Sequence, residues 1–252
     1  EPMDQLSALL QHSGPISEVV PFGLELDEPF LDLAQRFARD EGTVVLHSCG
    51  RRDCSRRSFL AVAPWLTLKT RGRDVELDVD GCSAALSDDP FRVLSRILDS
   101  YYLEGYGETA PGAGLFGYLA YDLKDRLEDL PQTAVNDLGL PEMLLYAPRA
   151  LLEHDVGSSA ATLWIPLRRG DPSDRVEGIR QWFVERLSRP APAPEPRPSA
   201  NGAVLESIFS REGYHEAVEA VREYIRSGDV YQVNLSQRFR IDARGDGFAT
   251  FH

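Results

Sequence analysis

Cysteine is scarce in this sequence. Only Cys49, Cys54 and Cys82 occur among 252 residues. An odd, sparse count argues against a disulfide framework and for free thiols in a reducing compartment. Cys49 and Cys54, with His47 beside them, lack the paired Cys-x-x-Cys spacing of a structural zinc site and are not read as metal ligands. Long apolar runs are missing too. No stretch approaches the roughly 20 residues that span a bilayer, and the first residues carry neither the positive cluster nor the apolar block of a signal peptide. The expectation is a cytoplasmic protein with no membrane partner. Positive charge is also short: 27 Lys and Arg stand against 40 Asp and Glu, for a net charge of −13. That balance excludes a nucleic-acid surface, which needs a basic excess, and means that an anionic ligand requires a local basic pocket.

A phosphate loop is absent as well. The run Gly112-Ala113-Gly114-Leu115-Phe116-Gly117-Tyr118 is rich in glycine, but no lysine follows at the Walker position. Glycines inside an apolar strand more often mark a close approach of backbones.

The elements that can be read come in a mixed order. Residues 1–20 are weakly patterned. Pro29-Phe30 leads into a helix that Gly42 ends. Thr43 to Leu46 is a short apolar strand, and Phe59 to Lys69 a longer one. Arg71-Gly72-Arg73-Asp74 is a hairpin turn, after which Val75, Leu77 and Val79 alternate along a returning strand. Asp88-Asp89-Pro90 opens a helix with Phe91, Leu94, Ile97 and Leu98 on its apolar side. An acidic-basic helix is expected from Leu123 to Leu130, and a short strand at Leu144 to Tyr146. Residues 150–154 and 161–166 form an antiparallel pair around Gly157-Ser158. Val176, Ile179, Phe183 and Leu187 then recur at helical spacing from Asp174 to Leu187.

The stretch from Arg189 to Pro198 holds five prolines and reads as an extended linker. It gives three parts: residues 1–188, a linker at 189–202, and residues 203–252. The last part is the most legible. Ser210 is a helix N-cap, Tyr214, Val218, Val221 and Ile225 follow at helical spacing, and Gly228 sits where a left-handed cap should end the helix. Beyond it, Tyr231, Val233, Leu235, Phe239 and Ile241 alternate with Gln232, Asn234, Ser236, Arg238 and Arg240, the pattern of a two-faced strand over 230–241.

Two features carry chemistry. Arg51, Arg52, Arg56 and Arg57 crowd one loop, and their guanidinium forks suit a carboxylate. A solvated loop paired with the acidic surface is the equal alternative. The polar face of 230–241 could line a ligand or simply meet water. Glu212, Glu216 and Glu219 share a helix and are assigned no role.

Gly228-Asp229-Val230-Tyr231-Gln232-Val233-Asn234-Leu235-Ser236-Gln237-Arg238-Phe239 resembles the signature that opens the catalytic domain of chorismate-utilising enzymes, component I of aminodeoxychorismate synthase and of anthranilate synthase. The Tyr-Gln-Val-Asn-Leu wording is more similar to the aminodeoxychorismate branch. Gly114-Leu115-Phe116-Gly117-Tyr118, and Leu46-His47-Ser48 with Ser55-Arg56, resemble further segments of that family in the same order. The resemblance implies an α+β fold of mainly antiparallel sheets with flanking helices, like anthranilate synthase component I. Residues 1–188 would form its N-terminal domain, and 203–252 the start of its chorismate-binding domain.

What the resemblance implies about activity is amination of chorismate to 4-amino-4-deoxychorismate, with a glutamine amidotransferase subunit supplying ammonia and glutamates holding Mg2+. Those glutamates fall outside this sequence, so no catalytic residue and no metal ligand is placed in it. The chain is expected to be part of something longer and inactive alone. The resemblance also implies a tryptophan-type pocket. Ser48 would bond the ligand's polar end, Cys54, Ser55, Arg56 and Arg57 would form the facing loop, and Tyr231 and Asn234 would close it. Anthranilate synthase component I is the alternative enzyme. A ligand-binding or partner-docking module without catalysis is the alternative of another class.

Overall fold

The computed structural model describes residues 2–48, 56–101, 103, 111, 113–131, 135–190, 192, 199–200 and 202–251. The chain divides into two compact units, Glu1–Pro192 and Ala193–His252.

The first unit is built on one eight-stranded antiparallel sheet. Its two long central strands are β3 (Arg57–Arg71) and β7 (Met143–Asp155), which pair from Arg57↔Asp155 to Thr70↔Met143. Each has different outer neighbours at its two ends. Near Phe59, β3 pairs with β2 (Val44–Leu46), and beyond Leu66 it pairs with β4 (Asp74–Val79). Near Met143, β7 pairs with β6 (Phe116–Leu119), and near Leu152 with β8 (Ala160–Arg168). β1 (Ile16–Glu25) and β5 (Cys82–Ser87) are the outermost strands of the main path. Two wings therefore share β3 and β7.

The sequence explains where the wings part. Pro64 lies opposite Pro148, and neither can donate to the ladder. The register shifts there, between Pro64 and Leu66, where Trp65 is the extra residue of the bulge, and Ala63 just before it takes φ 51. Gly42 (φ 74) packs against this corner: a Cβ on it would lie 2.5 Å from the Pro64 ring.

One wing is covered by α1 (Pro2–Ser13) and α3 (Pro90–Tyr101). Leu6, Leu10, Val93 and Ile97 join Leu66, Leu68, Val75, Leu77, Met143 and Leu145 in a buried cluster. The alternation read for β4 holds, with Val75, Leu77 and Val79 inside. In α3, Leu98 departs from expectation: Val93, Ile97 and Tyr101 face the core, while Leu98 is half exposed. On the other wing, α4 (Arg175–Ser188) follows β8 and buries Phe183 in a stack with Phe37, their ring centroids 5.2 Å apart. Both rings are fully buried. Arg186 lies over Phe37 and bonds Asp40 and the Arg36 carbonyl.

The turn between β4 and β5 is clamped by charge. Asp80 (φ 53) accepts from Arg149 Nη2 at 2.8 Å and from Arg168 Nη1 at 2.6 Å. Arg168 is nearly buried and stacks on Trp65. Burial pushes the Asp80 carboxyl up, but the two guanidinium bonds outweigh it and hold the group below the usual aspartate range. A depressed folded-state pKa stabilises the native chain above the unfolded value, about 3.9, and that stability is lost as pH falls through the lower folded value. Asp80→Asn is therefore expected to be less stable than the parent at about pH 7, with the gap in urea midpoint closing below about pH 4. A gap that stays constant through acid would show that the pair contributes through shape alone.

Several expectations are corrected. α1 and β1 occupy the N-terminal stretch that shows little pattern, and β5 adds a further strand. The two short strands expected within 144–154 are one continuous strand, β7. The acidic-basic segment is a 3-10 turn over Tyr121–Arg126.

In the second unit, α5 (Arg211–Ser227) has the caps that were expected. Ser210 accepts from the Gly213 amide, and Gly228 closes the helix at φ 82. The long strand over 230–241 does not form. Only β10 (Phe239–Arg240) is paired, with β9 (Glu206–Ser207), and residues 230–238 run without a ladder. Alternation supplies a face, but a strand also needs a partner for its amides and carbonyls.

Candidate functional site

Arg56, the start of β3 and the end of β2 form an open groove in the first unit. Val45, Leu46, His47, Ser48, Arg56, Arg57 and Phe59 line a volume of about 570 Å3. Its floor follows from local hydrogen bonding. Ser58 is fully buried, and its hydroxyl accepts from the Ser48 amide at 3.1 Å and meets His47 Nδ1 at 3.2 Å. The Ser48 hydroxyl donates to the Arg57 carbonyl at 2.7 Å. These bonds continue the β2–β3 pairing beyond Leu46 and fix where the Ser48 side chain sits.

With its proton given to Arg57, Ser48 offers a ligand only lone pairs. It is set to accept, as from an ammonium group. Arg57 is itself held: Nη1 lies 2.8 Å from Glu153 Oε1, and Glu153 Oε2 accepts from Trp164 Nε1. Behind the groove, Phe30 lies between two imidazoles, stacked on His47 at 5.9 Å and on His154 at 5.6 Å, with 8° between planes in both pairs. The stack ties the end of β2 to β7 through α2 (Phe30–Ala34).

Ser48, Arg56 and Arg57 are thus brought together. Cys54 and Ser55, like Cys49, Arg51 and Arg52, lie outside the described residues. Tyr231 and Asn234 belong to the second unit, where Tyr231 is 92% exposed. Ser58, Glu153, Phe30 and His154 support the groove and were not singled out from sequence. Phe30, Glu153 and His154 come from segments far from the arginine loop, Ser58 directly follows Arg57, and none carries a local signal of its own.

Among the described residues, no group of three or more His, Cys, Asp or Glu side chains is placed to hold a metal ion. The described residues therefore do not fit the implied Mg2+, and no step is routed through it. No described helix is long and apolar enough to cross a membrane.

Comparison with known proteins places this architecture. The family model described as chorismate binding enzyme matches residues 63–252, from the bulge in β3 onward. The chain belongs to that family. It is 29% identical over 225 residues to aminodeoxychorismate synthase component 1 of Escherichia coli, covering 82% of this chain and 44% of that protein. It is 32% identical over 218 residues to anthranilate synthase component 1 of Thermus thermophilus, covering 86% and 46%. Anthranilate synthase component I of Streptococcus pneumoniae has the same fold, with a TM-score of 0.60 at 21% identity over 84% of this chain and 46% of that one. The α+β reading with mainly antiparallel strands holds. The chain spans about half the length of the relatives it matches.

Proposed function

We propose that this chain is the N-terminal part of component I of an aminodeoxychorismate synthase, which aminates chorismate to 4-amino-4-deoxychorismate. The observation that carries the reading is the family match over residues 63–252. The Tyr231-Gln232-Val233-Asn234-Leu235 wording favours this product over anthranilate, although the relatives divide between the two enzymes at similar identity. The whole protein would take ammonia from a glutamine amidotransferase subunit, and Mg2+ would be held by residues outside those described here. The groove at Ser48 would hold an amino acid of the tryptophan type. Its ammonium group would meet the Ser48 lone pairs, and Arg56 and Arg57 would flank the mouth.

The test is chorismate consumption by the full-length protein with Mg2+ and ammonium. The product is expected to be 4-amino-4-deoxychorismate, and the 252-residue polypeptide alone is expected to leave chorismate unconsumed. Accumulation of anthranilate would transfer the assignment to the rival enzyme. No loss of chorismate by the full-length protein would leave a binding module. Calorimetric titration with tryptophan reads the groove. Affinity is expected to fall on the order of tenfold in Ser48→Ala, the loss of one hydrogen bond to a charged group. An unchanged affinity would place tryptophan elsewhere.

A further inference from the structure

A second cavity lies in the first unit. It has a volume of about 360 Å3, and its walls include Trp65, Ile97, Tyr101, Leu115, Ala147 and Pro166. Three parts of the fold meet there: the sheet through β3, β7 and β8, helix α3, and the segment that leads into β6. Leu98, half exposed, stands at its rim.

Its chemistry is narrow. Among the described lining residues, the side chains are apolar except for the indole N–H of Trp65 and the phenol of Tyr101. That phenol is paired with the Ser13 hydroxyl, which in turn donates to the Leu10 carbonyl. Arg168 lies over the Trp65 ring and is engaged by Asp80 and Asp171. Among the described residues that line the space, none carries a charge, so a carboxylate such as chorismate would lose its hydration without compensation from them. Water is poorly suited as well, because a buried water needs two to four polar partners. Apolar cavities of about 150 Å3 take up benzene, and small-molecule pockets begin at about 300 Å3. Two of the walls are aromatic: Trp65 and Tyr101 meet at 80° with centroids 4.8 Å apart, and a planar ring packs favourably against such a pair.

We propose that this cavity is a binding site for a small, neutral, planar aromatic molecule of bicyclic size. It is separate from the Ser48 groove, with which it shares no lining residue. A ring held there touches α3 and residues 113–115 at once, so its occupancy bears on the segment that enters β6.

Indole is the probe, titrated into the full-length protein by calorimetry and followed by amide hydrogen exchange. Saturable binding is expected, with slowed exchange at Gly114 and Leu115. Ala147→Met, which fills the cavity from β7, is expected to weaken binding at least tenfold. Leu98→Arg changes a half-exposed residue and spares the core, and is expected to do the same by placing a charge at the rim. Slowed exchange confined to Gly114 and Leu115, with exchange at Leu46, His47 and Ser48 unchanged, separates this site from the groove. No saturable binding up to the solubility of indole overturns the proposal. So does indole binding that survives both Ala147→Met and Leu98→Arg. Benzoate or octanoate binding as tightly as indole overturns the stated ligand class.

Discussion

Gly117→Ala is expected to destabilise the first unit by on the order of 3 kcal/mol or more. Gly117 takes φ 154 in β6, opposite Leu145 of β7. A Cβ built on it would lie 1.9 Å from the Leu144 carbonyl oxygen and 2.9 Å from its carbon. Those atoms are backbone of a central strand that is also paired with β3, so they have no room to yield. The chain must either detach β6 or bend β7. Gly81 supplies the control. It also has positive φ (82), but nothing lies within 4 Å of its Cβ position. Gly81→Ala therefore carries only the left-handed backbone cost, about 1–2 kcal/mol. Urea midpoints of the two variants decide the matter. Equal shifts would mean that the close approach of β6 to β7 is not real.

Phe183→Ala is the second large effect, with an expected loss of about 3–5 kcal/mol. Phe183 is the one fully buried side chain among the described residues of α4, and its ring stacks on Phe37. Trp182 packs beside both rings, edge-on to Phe37 and tilted to Phe183, and is itself only partly covered. Truncation leaves a hole that neither ring can fill by a rotamer change, and Arg186 loses the ordered surface on which it lies. Phe37→Ala is expected to cost a similar amount. The double variant should cost less than the sum, because each single change already breaks the stack. Full additivity in thermal or urea unfolding would show that the two rings act independently.

Both positions illustrate what can be read from sequence. The Gly-Leu-Phe-Gly-Tyr run pointed to a close backbone approach, and Gly117 makes one. α5 was legible because its signals are local: a serine before the first turn and a glycine after the last. β4 was legible because one of its faces is buried and the other is charged. β1 was not. It is an edge strand with few buried side chains, and Pro21 and Gly23 interrupt its pattern. β5 hides for another reason, since serine, alanine and cysteine give little contrast between faces. The stretch over 230–241 shows the reverse failure. Its alternation is strong, yet ladder pairing depends on a strand elsewhere, and only Phe239 and Arg240 join one. In the groove, Ser48 and Arg57 were reachable by resemblance. Glu153 and Phe30 reach it from distant parts of the chain, which no local pattern announces.

The shared pair of central strands has a consequence for how the protein is made. β3 leaves the ribosome well before β7 is synthesised, yet nearly all of its length lies against β7. Until then its apolar row from Phe59 to Leu68 has only short outer strands beside it. Neither wing can close alone, so folding waits on a distant segment and should be slow for a domain of this size. The nascent chain exposes an unpaired, apolar strand edge during that wait, and chaperone demand and aggregation during synthesis should track the delay between these two strands.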